Sequence, residues 1–291
     1  MEGFGVTGGI LYVVGTPIGN LEDITLRAMK VLKESDLIAA EDTRRTRKLL
    51  THFGIVKPLV SYHDHNAARA LPEIIDRIEQ GDAVALVTDG GMPCISDPGY
   101  RLIAKCRDVG LPVTVIPGPS AVITALALSG LPSERFVFEG YLPRRQAERK
   151  RRWELLIREK RAMVLYEAPH RMALFLKEIR EYVPERMICI CREMTKYYEQ
   201  TIRGYARDLA EELLDDDGNC ALKGEITVVI ATPVGKGEET DLAEVDWALK
   251  AALSQGDVTN RDAAKIVATE YDIPFRKTYK RLLELIKMEK I

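Results

Sequence analysis

The sequence predicts an α/β fold made of two consecutive α/β domains followed by a small all-helical extension. Three observations predict it: short β-branched runs alternate with stretches of helical period as far as Ala231, irregular Gly/Pro loops follow several of those runs, and beyond Val245 the strands stop. In order, Ile10–Val14 (ILYVV) reads as a strand, Asp23 as the cap of a helix with Leu26, Met29 and Leu32 on one face, and Leu37–Ala40 (LIAA) as a second strand. Thr43 is expected to cap a helix that ends at Gly54, and another runs from about Ala67 to Gly81. Strand Ala83–Thr88, helix Tyr100–Val109, strand Pro112–Ile116 and a helix after PGPSA complete a largely parallel sheet with both faces covered.

A linker, SGLPSE (Ser129–Glu134), separates this domain, taken as 1–131, from a second over 132–234. There the expected order is strand Phe136–Glu139, a basic helix, strand Met163–Tyr166, a helix after Pro169, and strands Met187–Cys191 and Ile226–Ala231. The tail, 235–291, reads as helices, with Asn260 as an N-cap and Pro274 as a break. Its last two helices are compatible with a helix-turn-helix and equally with amphipathic packing.

Composition narrows the class. A chain of 291 residues with 46% hydrophobic and 30% charged residues is expected to be an ordinary soluble globular protein. The N-terminus MEGFGVTGG lacks a basic start and a long apolar core, and no apolar run of membrane length occurs, so a cytoplasmic location is expected. Five scattered cysteines do not make a disulfide framework. Cys189 and Cys191 alternate in an apolar run and should pack as small hydrophobes on one strand face. The His63-Asp64-His65 cluster lacks a third ligand in view, and no metal is expected.

Net charge is −2, yet the basic residues cluster. Tyr141–Arg161 carries nine Lys/Arg against three Glu, and Arg261–Ile291 eight basic against five acidic residues. A solvated helix face explains either segment alone; two of them on an acidic chain point to a polyanionic partner.

Four irregular loops follow predicted strands: GTPIGN (Gly15–Asn20), AEDTRRT (Ala40–Thr46), DGGMPCISDPG (Asp89–Gly99) and PGPSA (Pro117–Ala121). In open parallel sheets ligands collect beyond the carboxyl ends of the strands, where helix N-termini and free backbone N–H groups converge. The chain has no GxxxxGK[ST], GxGxxG after the first strand, GxSxG or HExxH, so the common nucleotide-triphosphatase, dehydrogenase and hydrolase readings fall away.

Seven segments in order, GTPIGNLEDITLRA, AAEDTRRTRKLL, TDGGMPCISDPGYRL, PGPSAVITALALSGLPSERFVFEGYLPR, LYEAPHR, CREMTKYYEQ and KGEITVVI, resemble the ribosomal RNA small-subunit methyltransferase I family. This family is one of the tetrapyrrole-methylase-like, class III methyltransferases. The resemblance covers about residues 10–231, and the helical tail is similar to the family's C-terminal extension. It implies S-adenosylmethionine (SAM) as methyl donor, held in the cleft between the two domains. It also implies the 2′-hydroxyl of a cytidine in the decoding region of 16S rRNA, free or in the small ribosomal subunit, as acceptor, and a homodimer. GGMP (Gly90–Pro93) stands where the family has a Gly-rich SAM loop, usually worded DAGTP, so Gly90 and Met92 depart from it. PGPSA stands at the second SAM loop.

On this resemblance Thr16, Asp89, Gly91, Met92, Ile95, Ser120, Ala121, Tyr166 and Glu167 are expected to line the SAM pocket, mainly through backbone contacts and an aromatic wall. Methyl transfer to a ribose hydroxyl is an in-line displacement dominated by positioning, with a base or acceptor near the hydroxyl adding to the rate. Candidates for that role are Glu41, Asp42, Asp97, Glu167 and Glu193, with Lys196, Arg44 and Arg171 able to grip phosphate or developing charge. Arg144, Arg145, Arg149, Lys150, Arg151 and Arg152 are expected on the RNA backbone, joined by Arg276, Lys277, Lys280 and Arg281 of the tail. Two further readings stay open: a sister methylase acting on a small tetrapyrrole, and a non-catalytic RNA-binding assembly factor of the same fold.

Overall fold

The structure, a computed structural model, describes residues 9–233, 242–254, 258–271 and 273–289. Its contacts divide the chain into two compact units, Met1–Pro233 and Val234–Ile291.

The first half of the larger unit alternates strand and helix: β1 (Ile10–Val14), α1 (Leu26–Glu34), β2 (Leu37–Ala40), α2 (Thr43–His52), β3 (Leu59–Ser61), α3 (Ala67–Glu79), β4 (Ala83–Val87), α4 (Tyr100–Asp108), β5 (Val113–Ile116) and α5 (Ala121–Ser129). The five strands pair in the order β3-β2-β4-β1-β5, every pair parallel. Alternation along β1 divides the core. Ile10, Tyr12 and Val14 face a cluster with Ala28, Leu32 and Leu50, whereas Leu11 and Val13 face one with Ile74, Ile78 and Leu102. A parallel sheet buried on both faces places all its strand C-termini on one edge, and the functional loops follow from that.

The second half comprises β6 (Phe136–Tyr141), α6 (Gln146–Leu156), β7 (Ala162–Glu167), α7 (Met172–Tyr182), β8 (Met187–Arg192), β9 (Gln200–Tyr205), α8 (Ala206–Leu213) and β10 (Ile226–Ile230). Its sheet has the order β6-β7-β10-β8-β9, and only β6 and β7 run parallel. Helix α5, at the end of the first half, lays Val122, Ala125 and Leu126 against Val164, Cys189, Cys191 and Val229 of this second sheet. The other face packs Trp153, Phe175 and Leu209 from α6, α7 and α8.

Two strands go beyond the sequence reading. β3 has only three residues and no periodic signature, and β9 (QTIRGY) is a polar edge strand whose ladder, not its composition, makes it a strand. Caps shift by one or two residues: Thr25 caps α1 by accepting from the Ala28 N–H, with Asp23 ending a 3-10 turn, and Asp42 caps α2 by accepting from the Arg44 N–H.

In the smaller unit α9 (Leu242–Leu253), α10 (Asn260–Glu270) and α11 (Phe275–Glu289) bury Leu249, Ala263, Ala264, Val267, Leu282 and Leu285 among themselves. Thr259, rather than Asn260, is the N-cap of α10. Among the described residues no helix is long and apolar enough to cross a membrane.

Candidate functional site

Three of the loops meet. The N–H of Thr16 donates to the Gly91 carbonyl and the N–H of Gly91 to the Thr16 carbonyl, each at 2.9 Å, so GTPIGN and DGGMP are joined as a two-residue bridge. Gly15 and Gly118 lie back to back. A Cβ on Gly15 would fall 2.7 Å from the Gly118 Cα, and one on Gly118 2.9 Å from the Gly15 backbone, so only glycine permits this approach. The Met92 thioether crowds the same place, 2.6 Å from where that Cβ would stand. The Met92 side chain thus packs on the first loop.

Beside this junction a cleft of about 310 Å³ is lined by Thr16–Gly19, Leu21, four side chains of α2, Thr88 and Asp89, and by Lys196 and Glu225 from the second half. The Thr16 hydroxyl donates to the Thr88 carbonyl at 3.3 Å, while the buried Thr88 Oγ1 has no hydrogen-bond partner, a polar atom left available in a backbone-walled site. The fourth loop frames one side: the Asp42 N–H donates to Asp89 Oδ1 at 3.1 Å, and the Asp89 N–H to Glu41 Oε2 at 3.2 Å. Arg45 stands 3.3 Å from Asp89.

Glu41, Asp89 and Asp97 make an acidic cluster in which burial raises all three carboxyls. Asp97 moves furthest, pushed up to about 7 by burial and then by the charges of Glu41 and Asp89. Among the described residues it has neither a hydrogen bond nor an ion pair. Its loop carries Cys94 at φ 75° and Ser96 at φ 64°, left-handed conformations unusual for these residues. Ser96 in turn lies against Gly140, where a Cβ would come 3.1 Å from its hydroxyl. The Asp97 charge also reaches Tyr166, whose phenol is pushed up to about 12, by burial first, and which packs edge-on to Phe138 at 5.0 Å between ring centroids.

The sequence-derived site residues separate into groups. Thr16 and Asp89 line the cleft, and Gly91 and Met92 form its junction. Ser120 and Ala121 open α5, and Ala121 packs with Tyr166 in the core shared by the halves. Ile95 is exposed on the long loop.

Glu193 and Lys196 belong to the β8–β9 turn. Lys196 donates to Glu193 Oε1 at 3.0 Å and to Glu225 Oε2 at 2.9 Å. Burial opposes its charge, but these bonds hold the ammonium above the usual lysine range. The Glu225 N–H and Lys196 keep Glu193 ionised, so it is a loop-fixing carboxylate.

Glu167, expected in catalysis and SAM binding, is corrected: its side chain is 0% exposed, 2.9 Å from Arg149 and 3.2 Å from Arg171. Its two oxygens are engaged by the two guanidinium groups inside the fold, so it braces the second half rather than facing a substrate. Arg149, expected on RNA, is corrected with it. Its side chain is only 2% exposed, and its Nε donates to Glu178 at 2.7 Å. Arg171 serves the same junction, donating to the Leu142 carbonyl at 2.6 Å. Both arginines nonetheless line a second pocket of about 380 Å³ with Arg144, His170 and Leu174.

Arg144, Arg145, Lys150 and Arg151 are exposed on and before α6, whereas Arg152 is paired with Glu139. Arg44, 85% exposed, closes on Asp42 and does not line the cleft. In the tail Arg276, Lys277 and Lys280 are exposed, and Arg281 pairs with Asp246 at 2.6 Å.

Sequence reasoning missed Arg45 and Lys48, which with Thr46 and Leu49 are the α2 residues lining the cleft. Thr46 and Leu50 are the buried residues of the helix, Thr46 at the floor of the cleft, and the i, i+3 and i, i+4 spacing of Arg45, Lys48 and Leu49 beside them was the signal available. Among the described residues no group of three His, Cys, Asp or Glu could hold a metal.

Comparison with known proteins agrees with this geometry. The family pattern of the Tetrapyrrole (Corrin/Porphyrin) Methylases matches residues 10–210. A "Ribosomal RNA small subunit methyltransferase I" of Halalkalibacterium halodurans is 42% identical over 93% of this chain and 93% of its own length. A protein of that name from Synechocystis sp. is 42% identical over 95% of this chain and 98% of its own, and one from Escherichia coli O157:H7 39% identical over 95% of both. Among solved structures, uroporphyrin-III-C-methyltransferase from Thermus thermophilus superposes with a TM-score of 0.54 at 21% identity, covering 78% of this chain and 96% of that one. A cobalt precorrin-4 methyltransferase reaches 0.56 at 15% identity, covering 77% and 95%; likenesses this distant speak to the fold. The loop junction, the paired sheets and these relatives agree: the chain belongs to the tetrapyrrole methylase family and, within it, to the ribosomal RNA small subunit methyltransferase I group.

Proposed function

We propose that this protein is a SAM-dependent methyltransferase of small-subunit ribosomal RNA, acting on the 2′-hydroxyl of a cytidine ribose, as a homodimer in the cytoplasm. The observation that carries the reading is the junction of GTPIGN, DGGMP and PGPSA at one sheet edge, beside a cleft with three cations, Arg45, Lys48 and Lys196. The site fits SAM. A wall of close-packed glycines admits a ligand to the main chain, and the orphaned Thr88 hydroxyl offers it a polar partner.

Gly91, Met92, Ser120, Ala121 and Tyr166 are the residues that would hold it. When bound, SAM supplies an activated methyl group on a sulfonium. The chain's own work is to align the acceptor oxygen and take up its proton. Asp97 suits the second task, because it is the one carboxylate of the expected set with no partner among the described residues and with a protonation range centred near neutrality. Arg45, Lys48 and Lys196 would position the backbone phosphates of the target nucleotide. Arg144, Arg145, Lys150 and Arg151 give the larger unit exposed cations beyond what a small acceptor needs, and Arg276, Lys277 and Lys280 give the helical unit exposed cations of its own.

The test is incubation of the protein and labelled SAM with small ribosomal subunits, with naked 16S rRNA and with uroporphyrinogen, followed by mapping of ribose methylation. Label in a cytidine 2′-O-methyl group is expected; label in the tetrapyrrole alone would overturn the reading.

A further inference from the structure

Tyr197 and Tyr198 are 93% and 70% exposed, the former among the most exposed large hydrophobic side chains described. Their rings meet edge to face, centroids 5.0 Å apart at 90°. Burial would stabilise each ring, so leaving two adjacent aromatics in water calls for a reason.

Their backbone is not slack. Glu193 at φ 49° and Thr195 at φ 66° hold the turn in left-handed conformations, and for a β-branched threonine that is costly. The turn is fastened from several directions. The Glu193 N–H donates to the Glu225 carbonyl at 2.9 Å, the Thr195 N–H to Glu199 Oε2 at 2.6 Å, and the Asn20 N–H of the GTPIGN loop to Thr195 Oγ1 at 3.0 Å. A Cβ on Gly19 would stand 2.6 Å from both Lys196 Cγ and Thr195 Oγ1, so the two loops touch directly. Lys196 lines the cleft, and the tyrosine pair follows it in the chain.

We propose that Tyr197 and Tyr198 are a stacking platform for an unpaired nucleobase neighbouring the nucleotide in the cleft. This rests on the reading of RNA as substrate. Aromatic faces bind any base, and cations beside them take the phosphates, which is the usual chemistry of single-strand recognition. Lys48, which lines the cleft with no ion pair among the described residues, supplies the charge, together with Lys196, next to the pair in the chain and shared with Glu193 and Glu225. A second copy of the chain is a poorer occupant, because in the chain the pair stands between Lys196 and the polar run Glu199, Gln200 and Thr201, and a stable interface needs a larger area than two rings provide. The platform holds a base that flanks the target whatever its identity, so it governs acceptor binding rather than chemistry.

The experiment compares the full-length protein with Tyr197→Ala, Tyr198→Ala, the double Ala variant and the double Phe variant. The readouts are KM and kcat for methylation of small ribosomal subunits, quenching of a 2-aminopurine in an unstructured oligoribonucleotide, SAM affinity, and sedimentation. Expected is a rise in KM of about tenfold or more for the double Ala variant with kcat within about twofold, loss of the quenching, and recovery of both in the double Phe variant. SAM affinity and thermal midpoint should be unchanged, the rings being exposed. Wild-type methylation with no difference in any Ala variant would overturn the platform while leaving the methyltransferase intact. A change of oligomeric state in the Ala variants would overturn it in favour of a second copy, and a wild-type protein that methylates no RNA would remove both readings.

Discussion

The two halves of the larger unit use charged and irregular residues in opposite ways. In the first half every strand runs the same way, so the loops after β1, β2, β4 and β5 arrive at one edge and can touch, as Thr16 with Gly91 and Gly15 with Gly118 do. In the second half three of the four strand pairs are antiparallel, so strand ends are shared between two edges. There the arginines and glutamates seal the fold, as Arg149 and Arg171 do with Glu167. The same residue types therefore form a ligand edge in one sheet and a brace in the other; topology decides which.

The largest expected effect tests the ligand edge. Asp97→Asn should lower kcat/KM for methyl transfer by about 10²- to 10⁴-fold. In the parent kcat/KM should rise with pH through about 7, the range in which Asp97 ionises. Stability carries the opposite sign. The raised carboxyl keeps its proton in the folded state after the unfolded chain has lost it, so Asp97 costs stability as pH climbs from about 4 to about 7. Asp97→Asn should consequently be more stable than the parent at pH 8, by roughly 1–2 kcal/mol once water access is allowed for, and no different at pH 3.5. Denaturant titration at the two pH values reads this directly, and equal differences at both would exclude the buried carboxylate.

The brace is tested by Arg149→Met, which leaves Glu167 and Glu178 buried against an apolar side chain. It should destabilise by about 3–5 kcal/mol in urea. Next, Gly118→Ala forces a Cβ onto the Gly15 backbone and should weaken SAM binding in calorimetry by about 1–3 kcal/mol, with a smaller drop in thermal midpoint. Joint replacement of Arg144, Arg145, Lys150 and Arg151 by Ala should leave the urea midpoint within experimental error. It should flatten the dependence of RNA affinity on log salt by up to about 0.7 for each phosphate the variant no longer neutralises. An unaltered salt slope would make that helix face merely solvated. The smallest effect belongs to Asp42→Ala, which removes the α2 cap and should cost about 1 kcal/mol.

Much of the fold was legible because the buried strands of the first sheet are uninterrupted apolar runs bounded by Gly, Pro and capping residues. β3 and β9 were not, because a three-residue strand and a polar edge strand owe their existence to a ladder partner. At the site the loops themselves were legible, since Gly and Pro at fixed places restrict backbone shape. Arg149 was misread among its neighbours, although Trp153 and Leu156, four and seven residues on, mark its helical face as the buried one.

The sequence by itself determined the alternation of strands and helices, the irregular loops after them and the family of the chain, because backbone preference and hydrophobic period act over a few residues. Only the tertiary structure decided which carboxylate stays unpaired and which arginine is buried. It also brought Arg45 and Lys48 into the cleft beside Lys196, about 150 residues away in the chain. Desolvation and ion pairing depend on neighbours brought together across the fold, and a linear pattern does not specify them.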